Sequence, residues 1–301
     1  MICCILPRLT FRRIPHALLA EPSMIVAHPE APARPAPQRA EGVLRLALKQ
    51  EAGRTRPDRV YQEGCAKVRL VQGPLGATEA EPILINSSGG LTGGDRFSVE
   101  IELGPGAEAM ASTQACERIY RASAGEVEIR NRLRLGPGAR LDWLPQETIL
   151  FDGAALSRSL EADLAPDSEF LAVEAILFGR KAMGESLTHA TLRDRWRIRQ
   201  GGALLHAEDL RLEGPVSEIL ARASMLKGGA ALATILHVGR RAESLLEPLR
   251  GILGAQGGAS FWRGRLLARL TAPDGLALRR RLEPALTLLR GGRPLSRLWR
   301  M

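Results

Sequence analysis

Asn86-Ser87-Ser88-Gly89-Gly90-Leu91-Thr92-Gly93-Gly94-Asp95 is the stretch on which the reading of the fold turns. Its four glycines invite comparison with a phosphate-binding loop. The residues that follow speak against that. Phe97, Val99, Ile101 and Leu103 alternate with Ser98, Glu100 and Glu102, the period of two of a half-buried strand. A phosphate loop needs a helix N-terminus behind it, whose dipole and free N–H groups hold the anion. The stretch has neither a Gly-Lys-Ser/Thr ending nor G-x-G-x-x-G spacing. The glycines therefore serve backbone geometry between two strands, and a nucleotide enzyme becomes the weaker reading.

Working outward, the chain reads as mainly β. Val43 to Leu48 is a strand, Val68-Arg69-Leu70 is part of another, and Pro82 to Ile85 leads into the glycine loop. A repeat follows. Leu103-Gly-Pro-Gly-Ala107, Leu135-Gly-Pro-Gly-Ala139 and Leu164-Ala-Pro-Asp-Ser168 each separate two apolar-patterned segments, and a weaker copy begins at Ile198 with Gly201-Gly202 as its turn. The starts lie 32, 29 and 34 residues apart. Each unit is strand, tight turn, strand, with the chemistry of a hairpin. A period near 30 predicts stacked layers of β-structure. Thr113, Pro145, Glu174 and Glu208 then share one repeat position along an edge of the stack. Helical spacing is confined to the C-terminal part. Arg241 to Leu253 closes at Gly254, a second helix opens on Asp274 as N-cap and closes at Gly291-Gly292, and Ser217 to Ala223 is a short helix. Ala230 to Val238 reads as a buried strand.

Residues 1–41 read as a disordered or extended leader, because seven of the 19 prolines fall in it. Translation from Met24 is a second expectation for this segment. Residues 42–301 read as one β-rich domain.

Composition narrows the function. No apolar run approaches the roughly 20 residues that span a bilayer, so no membrane association is expected. Four scattered cysteines without a CxxC pair fit a reducing compartment, and the expected location is the cytoplasm. The five histidines and four cysteines form no zinc-type spacing, so no tight metal site is expected. The net charge is +9, and only four of 42 basic residues are lysine. That arginine excess reads either as a surface for acidic partners or as the codon bias of a GC-rich genome. Nucleic acid is poorly matched, since aromatics are 4% and stacking platforms are scarce. No nucleophile–base–orienter set supports an enzyme, including one built on Asp95 and Asp142 as paired carboxylates.

Five motifs occur in order: Gly89-Gly90-Leu91-Thr92-Gly93-Gly94-Asp95; Thr113-Gln114-Ala115 with Tyr120-Arg121; Leu141 to Glu147; Phe178-Gly179-Arg180 with Met183-Gly184-Glu185; and Arg297-Leu298-Trp299. In these the chain resembles the urease accessory protein UreD family, called UreH in some organisms, over roughly residues 42–300. Cys116-Glu117-Arg118 departs from the family's commoner Ala-Thr-Lys. The resemblance implies a mainly β fold with a few helices. It implies a non-enzymatic scaffold that joins apo-urease to UreF and the GTPase UreG in a hetero-oligomer and assists nickel delivery, with nickel bound only transiently. Nickel handed between proteins calls for weak oxygen ligands, since a closed thiolate cage would trap it. The candidates are Asp95, Asp142, Glu147, Glu174 and Glu185. Each also has a structural reading. Asp95 would cap its own turn, Asp142 would face solvent, and Glu147 would sit in a bend. Glu174 lies in the apolar run 170–178 and must be paired if buried, with Arg180 as the expected partner. Tyr120, Arg121, Arg180, Arg297 and Trp299 are the interface candidates, by the residue types that dominate hot spots.

Overall fold

The computed structural model describes residues 38–71, 78–180, 184–185 and 187–299. The expected leader up to residue 37, the alternative start at Met24, and Met183 of the fourth motif lie outside them. In chain order, β1 (Glu41–Glu51) and β2 (Arg54–Gly64) pair antiparallel, as do β3 (Ala66–Val71) and β4 (Glu81–Asn86). The glycine loop then enters the first repeat: β5 (Arg96–Leu103), β6 (Glu108–Thr113) and the short β7 (Glu117–Ile119). The second is β8 (Val127–Leu135), β9 (Arg140–Trp143) and β10 (Thr148–Leu150). The third is β11 (Ala155–Leu164) and β12 (Glu169–Phe178). There follow β13 (His189–Gln200), β14 (Ala203–Pro215), α1 (Val216–Ala221), β15 (Ala231–Val238), α2 (Leu246–Leu253), β16 (Gly257–Trp262), β17 (Arg265–Ala272) and α3 (Gly275–Leu289).

The strands stack as coils of a β-solenoid. The first sheet runs β14-β13-β11-β8-β5-β1-β2, and the second runs β16-β17-β15-β12-β9-β6-β4-β3. Within the stack the neighbours are parallel; β1–β2, β13–β14, β3–β4 and β12–β15 are antiparallel. A narrow third ladder joins β7, β10 and the end of β12, and Leu91 of the glycine loop bridges to Ile119 of β7.

The repeat is therefore real, but its turns are not hairpins. β5 and β6 lie in different sheets, and each pairs with its counterpart in the next coil. The Gly-Pro-Gly turns are arcs that carry the chain from one sheet to the other. They also stack, with Gly106 donating its N–H to Pro137 O at 2.9 Å. Only the fourth copy is a hairpin. There Gly201 and Gly202 take φ of +56° and +81°, as a tight two-residue hairpin turn requires, and β13 pairs with β14. Glu208 consequently leaves the aligned row. It faces Trp196 in the first sheet and pairs with Arg269 at 2.7 Å, and β15 takes the fourth place beside β12.

Two hydrophobic cores hold the coils. One lies between the sheets, filled by the inward residues of β5, β8, β11 and β13 against those of β9 and β12. The other lies on the far face of the second sheet, where Leu171, Val173 and Ala175 of β12 meet α2 and α3. β12 is buried on both faces, which explains its continuous apolar sequence. The predicted helices form, with α2 preceded by a 3-10 turn at Glu243–Leu245. Asp274 caps α3 by accepting from Ala277 N at 2.8 Å. No helix among the described residues is long and apolar enough to cross a membrane.

Candidate functional site

Among the inward positions of β5, β8, β11 and β13, three are polar. Asn131 of β8, Arg158 of β11 and Asp194 of β13 occupy the phase that Leu, Ile and Ala fill elsewhere, and all three are buried. Across the core, β12 presents Glu174. Arg158 Nη1 donates to Glu174 at 2.5 Å and to Thr148 Oγ1 at 3.0 Å, while its Nη2 donates to Asp194 at 2.5 Å. Trp143 Nε1 donates to the other Glu174 oxygen at 3.2 Å. Glu174 is thus paired with Arg158, which sequence reasoning did not select; Arg180 instead pairs with Glu185 at 2.8 Å on the surface. One guanidinium faces two carboxylates. Burial pushes the Glu174 carboxyl up; Arg158 opposes this, and the second carboxylate, Asp194, adds to it. Burial disfavours the charge on Arg158, but Asp194 and Glu174 outweigh it and hold it protonated.

Beside this cluster lies a cavity of about 160 Å³. Phe97, Val99, Ile129 and Leu84 form its apolar wall, and Asn131, Thr113, Thr148, Arg158 and Glu174 its polar one. Thr113, Pro145 and Glu174 all line the cavity, and Gln146 N donates to Thr113 Oγ1 at 2.9 Å. Cys116 and Glu117 line the cavity toward the exposed Gln114, Ala115 and Arg118. Burial lifts the Glu117 carboxyl to about 7, against the hydrogen bond from Asn86 Nδ2. Burial, and then Glu147, lift the Cys116 thiol to about 11, so the thiolate that a metal would want is scarce near neutral pH. Among the described residues, no group of three or more His, Cys, Asp and Glu is placed to hold a metal ion.

Of the five carboxylates selected from sequence, only Glu174 lines this cavity. Asp95 is buried and uses both oxygens at once, accepting from Ala40 N at 2.9 Å and Thr92 N at 2.8 Å. It sits at the start of β5 and ties the glycine loop to the strand β1. Asp142 does not face solvent as the alternation implied. It is buried against Arg290 and Arg293 and points toward the α3 side. Glu147 is buried too, paired with Arg279 of α3 at 2.5 Å and accepting from Cys116 Sγ at 3.4 Å. Glu185 is held by Arg180.

The interface candidates divide similarly. Tyr120, Arg121 and Arg180 are exposed and close together: Tyr120 meets Phe151 edge-on at 4.9 Å, and the Arg180 guanidinium lies 4.3 Å over the same ring. Arg297 is exposed. Trp299 is fully buried and donates from Nε1 to Leu144 O at 3.0 Å, so it packs the second core.

Stacked coils, a helical layer on one sheet and a partly polar cavity between the sheets define a β-solenoid whose interior carries charge. The match to known sequences gives that class its family. The chain belongs to the UreD urease accessory protein family, whose model matches residues 40–300. It is 53% identical over 264 residues to the urease accessory protein UreD of Agrobacterium fabrum, covering 88% of this chain and 92% of that one. The UreD proteins of Rhizobium leguminosarum bv. viciae and Chelativorans sp. are 51% and 52% identical, over 88% and 89% of this chain and 97% and 96% of their own.

Proposed function

We propose that this protein is a non-catalytic urease maturation factor of the cytoplasm. It joins apo-urease with UreF and UreG and helps pass nickel to the urease active site, holding the ion only in transit. Membership of the UreD family supports the role. The observation that carries the nickel step is Glu174 on the wall of the interior cavity, backed by Thr113, Asn131 and Thr148. Such a wall, with Glu117 as a second carboxylate and the Arg158 guanidinium opposing a tightly held cation, offers weak oxygen ligands that bind a divalent ion loosely enough to release it. The exposed Tyr120, Arg121 and Arg180 group and the exposed Arg297 are the proposed contact points for partners.

Glu174→Ala and Glu174→Gln, co-expressed with urease, UreF and UreG, test the nickel step. Both variants are expected to co-purify with UreF yet yield urease with at least severalfold less nickel. Normal nickel content in folded Glu174→Gln would refute a transfer role. Alanine at Arg121, Arg180 or Arg297 is expected to weaken co-purification with UreF.

A further inference from the structure

The outer face of the first sheet is a grid of charge. Across β5, β8, β11 and β13, one row reads Glu100, Arg132, Glu161, Arg197, and the next reads Glu102, Arg134, Asp163, Arg199. Signs alternate in both, and Arg132 lies within 3.5 Å of Glu100 and 3.7 Å of Glu161. The alternation fails in the two rows on the other side. There β11 presents the uncharged Ser159, where the pattern calls for an acid, and the uncharged Ser157. Ser159 stands between Arg130 and Arg195, and Ser157 stands between Glu128 and Arg193. Arg193 is itself directly opposite Arg211 of β14, a like-charge pair that weakens a sheet. Neither Arg193 nor Arg211 has an ion pair or hydrogen bond among the described residues. The nearby acids are engaged: Glu128 pairs with Arg130 at 2.7 Å, and Asp209 with Arg197 at 3.5 Å. The small serines leave a trough of about 340 Å³ lined by Arg130, Arg193, Arg195 and Arg211, with the engaged Glu128 and Asp209 also on its wall.

We propose that this trough docks an extended acidic segment of a partner protein, with carboxylates at alternate positions. Alternate residues of a strand are spaced by about 6.6 Å, which is also the spacing of Ser157 and Ser159 along β11. Guanidinium forks take carboxylates bidentately, and the serine hydroxyls donate beside them. A nucleic acid fits less well. No aromatic ring lines the trough for stacking. Glu161 and Asp163 continue along β11 and would repel a polyanion longer than the trough. Ser157 and Ser159 lie on the opposite face of β11 from the cavity, and only Ile129 and Arg158 border both, so substitutions of the outer residues leave Glu174 and its partners in place.

The test is fluorescence anisotropy on the full-length chain with three labelled probes that match the trough in length: the peptide Ser-Glu-Ser-Glu-Ser, its Gln counterpart, and a three-nucleotide oligo-dT. The Glu peptide is expected to bind, the Gln peptide not. Ser159→Glu places an acid between Arg130 and Arg195, so it should weaken binding at least about tenfold while raising the thermal midpoint. Arg193→Ser/Arg211→Ser should weaken it by a similar factor, and Arg134→Ser less than about twofold. Absence of Glu-peptide binding, equal binding of the Gln peptide, tighter binding of oligo-dT, or indifference of binding to the Arg193 and Arg211 substitutions would each overturn the proposal.

Discussion

Glu117 lies on the cavity wall beside Asn86, and its surroundings give it a measurable signature. Its carboxyl titrates near 7 in the folded protein because burial disfavours the charge, against 4.5 for a free side chain. The folded state therefore holds the proton more tightly than the unfolded one. That stabilisation is complete below pH 4.5 and is lost as pH rises through 7. Glu117→Gln, which keeps a hydrogen-bonding amide without the charge, should gain on the parent across this window. The gain should reach about 3 kcal/mol by pH 7.5 and then level off. Denaturant midpoints of both proteins from pH 4.5 to 8 measure it, and a pH-independent difference would contradict the assignment. Glu174 was legible in the sequence as a carboxylate in an apolar run. Its partner was not, because Arg158 is 16 residues away and Asp194 a further 36 beyond Arg158. The available signal was the phase. In Leu156-Ser157-Arg158-Ser159-Leu160 the arginine stands where the alternation calls for an apolar residue.

At the scale of elements, the glycine loop is specified by what it touches. A Cβ on Gly93 would stand 2.3 Å from Ala124 O and 2.7 Å from Gly125 O, backbone atoms of the next coil that cannot swing away. Gly93→Ala should therefore cost about 2–3 kcal/mol. At Gly89 a Cβ meets open space, and only the φ of +78° opposes it, so Gly89→Ala should cost about 1 kcal/mol. Thermal unfolding of the two variants checks the order, and equal costs would mean that the coil-to-coil contact is not limiting. The repeat was legible because each coil reuses the same turn and the same period-two pattern. What the pattern did not carry is pairing. A Gly-Pro-Gly turn looks alike whether its flanking strands bond to one another or to the coils on either side. Strands such as β2 were illegible for a different reason: it is exposed along almost its whole length, so no alternation marks it.

At the scale of the whole molecule, charge is spent inside as well as on the surface. Arg290, at the end of α3, is fully buried and shares Asp142 and Glu79 with Arg293, which pins the helix to β9 and to the segment before β4. Asp142→Ala would leave that guanidinium under-compensated and should cost about 3–5 kcal/mol, read as a lowered unfolding midpoint. Retained stability would show that Glu79 alone suffices. The arginine-rich C-terminal part was thus only half readable from composition. Arg279 and Arg290 fasten the helical layer, whereas Arg297 stays exposed. The antiparallel strands at the borders of the coils bear on a different hazard. A stack of parallel coils is a template onto which another copy could add its own strands, the geometry of fibre growth. Here β2 and β14 reverse polarity at the two margins of the first sheet, and β3 and β15 do so beside the coils of the second. An incoming parallel coil meets a strand running the wrong way, so the molecule carries a built-in brake on polymerisation.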